Sequence, residues 1–167
     1  MNPGDHETVI TFPPIESIST TASSTPIMTE ERTVHVWGFS LDASLSVVAQ
    51  CRSWLSEEER GRAARFIRQQ DRLRFVLAHG GLRAVLARYT SLDPSALTFQ
   101  VGSTGKPAML NGGTSQQPLQ FNLSHSHGRM LIAVLADQEV GIDLEQIRER
   151  VDVAKLAERF YTAAERD

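Results

Sequence analysis

The alternation of apolar and polar positions divides the chain into a polar beginning, a helical middle and a strand-rich second half. Val34-His35-Val36-Trp37-Gly38-Phe39 is apolar enough for a half or fully buried strand. Leu45 to Trp54 carries Val47, Val48, Cys51 and Trp54 at helical spacing. A second helix opens at Ser56-Glu57-Glu58-Glu59, a capping box. In such a box the Ser hydroxyl accepts from the amide of the Glu, whose carboxylate accepts from the amide of the Ser. Ala63, Phe66 and Ile67 share one face of this helix, which is expected to run to about Gln69. Asp71 is placed to cap a longer third helix reaching about Tyr89, in which Leu73, Val76, Leu77, Gly80, Ala84 and Val85 keep the 3.6-residue period. Asp93-Pro94 marks a turn. Strand signals follow at 97–101, 119–123, 130–136 and 140–145, with a loop holding Gly102, Gly105, Gly112 and Gly113 between the first two. A last helix is predicted from about Asp152, with Val153, Leu156, Ala157 and Phe160 at i, i+3, i+4 and i+7. Helices followed by a group of short strands argue for an α+β fold.

Composition narrows this. The 167 residues, 41% of them hydrophobic, suit one ordinary domain. The longest apolar run, Met130 to Ala136, falls far short of the roughly 20 residues that span a bilayer, so no membrane segment is expected. Cys51 is the sole cysteine, which excludes an internal disulfide and fits a reducing cytoplasm. The N-terminus lacks a signal-peptide pattern, so a cytoplasmic location is expected. Residues 1–33 hold fifteen Ser, Thr or Pro and read as a disordered extension, with Met28 as an alternative start.

The net charge of −3 conceals an uneven distribution. Residues 52–88 carry nine arginines against four acids, whereas 137–167 carry nine acids against five bases. A protein that holds a phosphorylated ligand and a divalent cation needs both signs in one chain, although ordinary helical surfaces produce similar patterns. Arg65, Arg68 and Arg72 fall on one helical face at i, i+3 and i+7, which raises nucleic-acid binding as an alternative. The overall negative charge and the lack of an aromatic platform beside these arginines count against it.

Gly141-Ile142-Asp143-Leu144-Glu145 carries the most chemical information. On a strand, residues two apart share a face, so Asp143 and Glu145 would stand side by side while Ile142 and Leu144 enter the core. Paired carboxylates suit Mg²⁺, which keeps waters and shares its remaining positions with substrate phosphates. Solvated acids on a half-exposed strand would look the same. Asn122-Leu123-Ser124-His125-Ser126-His127-Gly128 is a compact polar stretch between two strand signals. Ser124 and His125 can donate to phosphate oxygens, and a phosphate would favour the protonated form of His125. A polar turn capping its own backbone is the plainer reading. Lys106, one of two lysines in the chain, stands in Gly105-Lys106-Pro107, where it can serve as a point charge for phosphate. The tripeptide is not a P-loop, since no Ser or Thr follows the lysine. His6, His35 and His79 lack ligand-like spacing and read as structural or surface residues.

Three of these elements, in this order, resemble the 4′-phosphopantetheinyl transferases of the Sfp-like type. Gly105-Lys106-Pro107, Asn122-Leu123-Ser124-His125-Ser126 and Gly141-Ile142-Asp143-Leu144-Glu145 match that family's Gly-Lys-Pro, Asn-x-Ser-His-Ser and Gly-Ile-Asp-x-Glu elements. The Arg-rich stretch from Arg62 to Arg74 and Arg159-Phe160-Tyr161-Thr162 followed by Glu165 are similar too, so the resemblance covers about residues 34–167. It implies transfer of phosphopantetheine from coenzyme A to a serine of an acyl, aryl or peptidyl carrier protein, with adenosine 3′,5′-bisphosphate leaving. It implies Mg²⁺ on Asp143 and Glu145, and coenzyme A held by Lys106, Ser124 and His125, with Arg62 and Arg74 near the nucleotide end.

The family fold is a pseudo-twofold pair of α+β halves with coenzyme A between them. By that resemblance, 1–33 is an extension, 34–139 the N-terminal subdomain, and 140–167 the start of a truncated C-terminal subdomain. A Trp-x-x-Lys-Glu-[Ser/Ala]-x-x-Lys element follows in the family, and its Glu is a Mg²⁺ ligand and candidate general base. The 167 residues, which run to Asp167, do not contain that element. The resemblance therefore puts the general-base Glu beyond Asp167. No catalytic base is assigned within the chain, and impaired or absent activity is the expectation. A non-catalytic module binding coenzyme A or carrier protein is the alternative.

Overall fold

The computed structural model describes residues 33–90, 92–101, 106–111, 119–136 and 138–147, together with Pro13, Ile15, Pro26, Ile27 and Thr162. Its elements run β1 (His35–Ser40), α1 (Leu45–Trp54), α2 (Glu57–Ala64), α3 (Gln69–Thr90), a 3-10 turn (Pro94–Ala96), β2 (Phe99–Val101), β3 (Pro107–Met109), β4 (Leu119–Ser126) and β5 (Arg129–Ala136). The mixture is the expected α+β class.

The apolar run of the second half forms β5, the middle strand of an antiparallel sheet ordered β1-β5-β4. Every residue from Met130 to Ala136 is buried, as a strand covered on both faces requires. β1 pairs with it from His35↔Val134 to Ser40↔Arg129, and β4 from Leu119↔Ala136 to Ser126↔Arg129. A separate antiparallel pair, β2 with β3, aligns Phe99 with Met109 and Val101 with Pro107.

α3 is the central helix. From Phe75 to Thr90 only His79 and Arg88 are not buried. Cys51 of α1 lies so close that a Cβ on Gly80 would stand 2.4 Å from its Cβ and 2.8 Å from its Cα. A glycine is therefore what lets the two helices approach. On the sheet side, Tyr89 meets Trp37 edge to face with ring centroids 6.4 Å apart, and its hydroxyl accepts from Trp37 Nε1 at 2.7 Å.

The capping box of α2 forms as the sequence predicts, with Glu59 N donating to Ser56 Oγ at 3.1 Å and Ser56 N donating to Glu59 Oε2 at 2.8 Å. Glu59 also receives Arg83, whose Nε and Nη2 donate to Oε2 at 3.0 and 2.7 Å. Arg83 is 2% exposed. Its Nη1 donates to the carbonyls of Pro94 and Leu97 at 3.0 and 2.8 Å, and its guanidinium lies 4.9 Å from the centre of the Phe99 ring. This buried cation thus ties α2, α3 and the segment after α3 together.

Several sequence expectations need correction. α2 ends at Ala64, not near Gln69, because Arg65 N and Phe66 N turn back to Arg62 O and Ala63 O in tight i to i−3 bonds. Phe66 then packs on Phe75, with ring centroids 5.4 Å apart, and takes the chain out of the helical path. Arg65 and Arg68 therefore lie in the bend and Arg72 in α3, so the three do not form one helical face. α3 begins at Gln69 and contains Asp71 in its first turn, so Asp71 does not precede the helix as a cap.

Most of 1–33, read as a disordered extension, lies outside the described residues; of those described, Ile15 is buried in the core and Ile27 N donates to Arg88 O at 2.8 Å. Finally, 140–145 is not a ladder strand: it makes no strand pairing among the described residues. Ile142 and Leu144 are only half-buried there, although Asp143 and Glu145 keep the expected exposed alternation. The helix predicted from Asp152, and the chain from there to Asp167 apart from Thr162, lie outside the described residues.

Candidate functional site

The polar stretch Asn122 to Gly128, whose plainer reading from sequence is a polar turn, is mostly strand: β4 continues through Ser126. His127 and Gly128 then form a two-residue turn with φ of 47° and 74°, the pattern of a type I′ hairpin. Arg74 of α3 covers this turn. Its Nη2 would be 3.2 Å from a Cβ on Gly128, so the backbone conformation and the packed guanidinium both favour glycine there. The Gly128 carbonyl accepts from Leu41 N, which fixes the turn to the loop after β1.

A group of cations gathers at this end of the sheet. His125 lies below its ordinary pKa of 6.5, first because it is partly desolvated and then because the positive charges of His79 and Arg74 face it. His79 stacks on Phe75 with ring centroids 4.0 Å apart, and the Arg62 guanidinium stands 5.5 Å from the centre of the same Phe75 ring. Glu59 holds His79 by Oε1 at 3.2 Å from Nδ1. Burial works to raise the pKa of Glu59. The hydrogen bonds from His79, Arg83 and the Ser56 backbone outweigh it and hold that pKa at about 2. The Nε of Arg74 is buried without a hydrogen-bond partner among the described residues. A buried unpaired donor amid like charges is costly unless an anion or water completes it. Arg62, Arg74 and His125, singled out from sequence, thus converge. His79, read from sequence as a structural or surface residue, joins them; the readable signal was its i, i+4 spacing from Phe75 on α3.

The acid-bearing segment stands against the same strand. The Ser124 hydroxyl donates to Asp143 Oδ1 at 2.9 Å and accepts from Leu144 N at 3.1 Å. Lys106, immediately before β3, donates from Nζ to Val140 O at 2.8 Å. Side chains from β4 and the start of β3 therefore fasten a segment that has no ladder of its own. Asp143 and Glu145 are both exposed. No group of three or more His, Cys, Asp or Glu able to hold a metal occurs among the described residues. Two exposed carboxylates with room for water and phosphate oxygens fit Mg²⁺, which rarely takes an all-protein cage. Gly105, the 159–165 stretch apart from Thr162, and Asp167 lie outside the described residues, so the expectation of a general-base Glu beyond Asp167 stays one drawn from the resemblance. No helix of the described residues is long and apolar enough to cross a membrane.

Residues 37–140 match the family described as 4′-phosphopantetheinyl transferase, N-terminal. The chain is similar to the 4′-phosphopantetheinyl transferase HetI of Nostoc sp., with 38% identity over 132 residues that cover 79% of this chain and 55% of that protein. It is similar to the 4′-phosphopantetheinyl transferase Sfp of Bacillus subtilis strain 168, with 32% identity over 133 residues, 78% of this chain and 56% of that one. Likeness to the 4′-phosphopantetheinyl transferase AcpT of Escherichia coli K12 is 35% identity over 83 residues, half of this chain and 39% of that protein. The chain spans about half the length of the first two of these relatives.

Proposed function

The chain belongs to the 4′-phosphopantetheinyl transferase family, and from that premise we propose that its residues form the coenzyme A and Mg²⁺ side of a site that modifies a carrier-protein serine. In that reaction the serine oxygen bonds to the phosphorus bearing pantetheine, the pyrophosphate P–O bond breaks, and adenosine 3′,5′-bisphosphate leaves with the bond electrons. The serine proton goes to a base that is not assigned among the 167 residues. Acyl, aryl or peptidyl carrier proteins are the proposed partners, and the cytoplasm the proposed location.

The observation that carries this reading is the juxtaposition, along β4, of a cationic group and the acid-bearing segment fastened at Asp143 and Leu144. His125 of β4 faces Arg74 and His79, while Ser124, its neighbour, touches Asp143. A pyrophosphate with a divalent cation needs both. Arg62, Arg74 and His125 would hold the phosphates of coenzyme A. Lys106 has further N–H donors beyond the one given to Val140, and these would reach phosphate as well. Asp143 and Glu145 would hold Mg²⁺, which when bound neutralises the pyrophosphate and the charge that develops as it departs.

Titration of the 167-residue chain with coenzyme A, with and without Mg²⁺, tests this. Mg²⁺ is expected to strengthen binding in the wild type and not in Asp143→Ala. No coenzyme A binding in either condition would overturn the reading. Phosphopantetheine addition is read separately, as a mass increment on carrier protein. Coenzyme A binding without that increment would favour a non-catalytic binding module. Nucleic-acid binding loses support because the arginine stripe it needed is broken at the bend between α2 and α3.

A further inference from the structure

The described residues ahead of β1 are built into the fold. Ile15 is 4% exposed and fills a slot between α3 and β5. A Cβ on Gly81 would stand 2.8 Å from Ile15 Cδ1 and 2.7 Å from Met130 Cε, so the bare backbone at 81 makes room for both. Two residues earlier, Pro13 O accepts from Ser40 N at 2.9 Å, at the last position of β1. β1 is an edge of the β1-β5-β4 sheet, and this bond takes up one amide of the open edge. Ile27 N donates to Arg88 O in the last turn of α3, and the Ile27 side chain packs on the core.

Two routes lead from these residues to the cationic group. The first is side-chain packing. Met130, the neighbour of Ile15, stands opposite His125 in the β4–β5 ladder. Residues opposite each other in an antiparallel pair project from the same face and touch. Met130 reaches Gly81 of α3, and His125 faces His79 and Arg74 of that helix. The second route is backbone. Ser40 gives its amide to Pro13, and the next residue, buried Leu41, gives its amide to Gly128 O in the turn that Arg74 covers. One route ends at His125 and the other at Arg74, and both start within three residues of the chain ahead of β1.

We infer that Pro13 and Ile15 belong to a strap, anchored by Ile15, that positions His125 and Arg74 for an anionic ligand. Ile15 is a positioning residue, acting through Met130, and the inference rests on the reading that this cationic group binds the phosphates of coenzyme A. The 167-residue chain tests it. Ile15→Ala is expected to weaken coenzyme A binding about 5-fold or more, and Ile15→Val, which keeps most of the side chain, to retain it. Leu86→Ala, an equally buried truncation farther along α3 than His79, should lower the urea midpoint and leave coenzyme A binding unchanged. The His125 imidazole, followed by NMR without ligand, reads the strap apart from coenzyme A. Its pKa should rise in Ile15→Ala, because the opened slot beside Met130 relieves the desolvation that lowers it, and should stay in place in Leu86→Ala. Should Ile15→Ala fail to fold, the wild type alone decides. Coupling is reciprocal, so a ligand that gains from the strap must tighten it. Hydrogen exchange of the Ser40 amide, which is bonded to Pro13 O, is therefore expected to slow when coenzyme A binds. Coenzyme A binding by the wild type with unchanged affinity and an unmoved His125 in Ile15→Ala, or with unchanged exchange at Ser40, would overturn the strap and leave the coenzyme A reading standing. A raised His125 pKa in Ile15→Ala without coenzyme A binding by the wild type would do the reverse.

Discussion

His125 shows how one residue takes its chemistry from neighbours that no motif contains. Partial desolvation and the facing charges of His79 and Arg74 hold its pKa below 6.5, so without a ligand it favours the neutral form. A phosphate brought against it reverses that preference, because a nearby negative charge stabilises the imidazolium. Binding of coenzyme A is therefore expected to take up a proton at pH 7 and to strengthen as pH falls from 8 to 6. Calorimetry in buffers of different ionisation enthalpy measures the uptake directly. In His79→Gln one facing positive charge is gone, and the His125 pKa, followed by NMR, should rise. An unmoved His125 would show that His79 does not act on it. Sequence alone could name His125, since it stands in a recognisable motif. For His79 it offered only the i, i+4 spacing from Phe75, while the ion pair with Glu59, 20 residues away, belongs to no local pattern.

Among the elements, the contact between α1 and α3 is the most sensitive. Adding a methyl group at Gly80 would bring it 2.8 Å from the Cα of Cys51, and backbone cannot swing aside as a side-chain tip can. Gly80→Ala gains about 1 kcal/mol of helix propensity and loses more to overpacking, which typically costs about 1–3 kcal/mol. A lower urea midpoint than wild type is the expected result; a higher one would mean that α1 shifts freely. Both helices were legible from their apolar period, and α1 has the bounds expected from it. The failures have a common physical origin. Ile67 continues the apolar pattern of α2, yet it is 97% exposed, because Phe66 turns inward to Phe75 and ends the helix first. The alternation in 140–145 reads as a strand, yet its partners are a serine hydroxyl and a lysine ammonium. In each case a side-chain contact from elsewhere in the chain decided the local conformation.

For the whole molecule, the Glu59–Arg83 pair is the principal tie between the helices and the segment leading into β2. Because Glu59 titrates at about 2, against 4.5 when unfolded, its contribution to stability is fully present above pH 4.5 and is lost as pH falls towards 2. Glu59→Gln leaves the buried Arg83 without its anion. It should cost about 3 kcal/mol at pH 7 and flatten the pH dependence of unfolding between 4.5 and 2, as measured by urea melts at stepped pH. An identical acid profile in wild type and variant would refute this role. The order β1-β5-β4 carries a further consequence, for the chain as it is made. Among the described residues β1 is the first strand to leave the ribosome, but the strand it pairs with follows roughly 100 residues later. At about 5–20 residues per second, its unpaired edge and the core-facing side chains of Trp37 and Phe39 wait on the order of 5–20 s. The helices between them can gather in that interval, but the sheet cannot close. The nascent chain is thus most open to chaperones, or to pairing with another copy of itself, until the β4–β5 hairpin arrives.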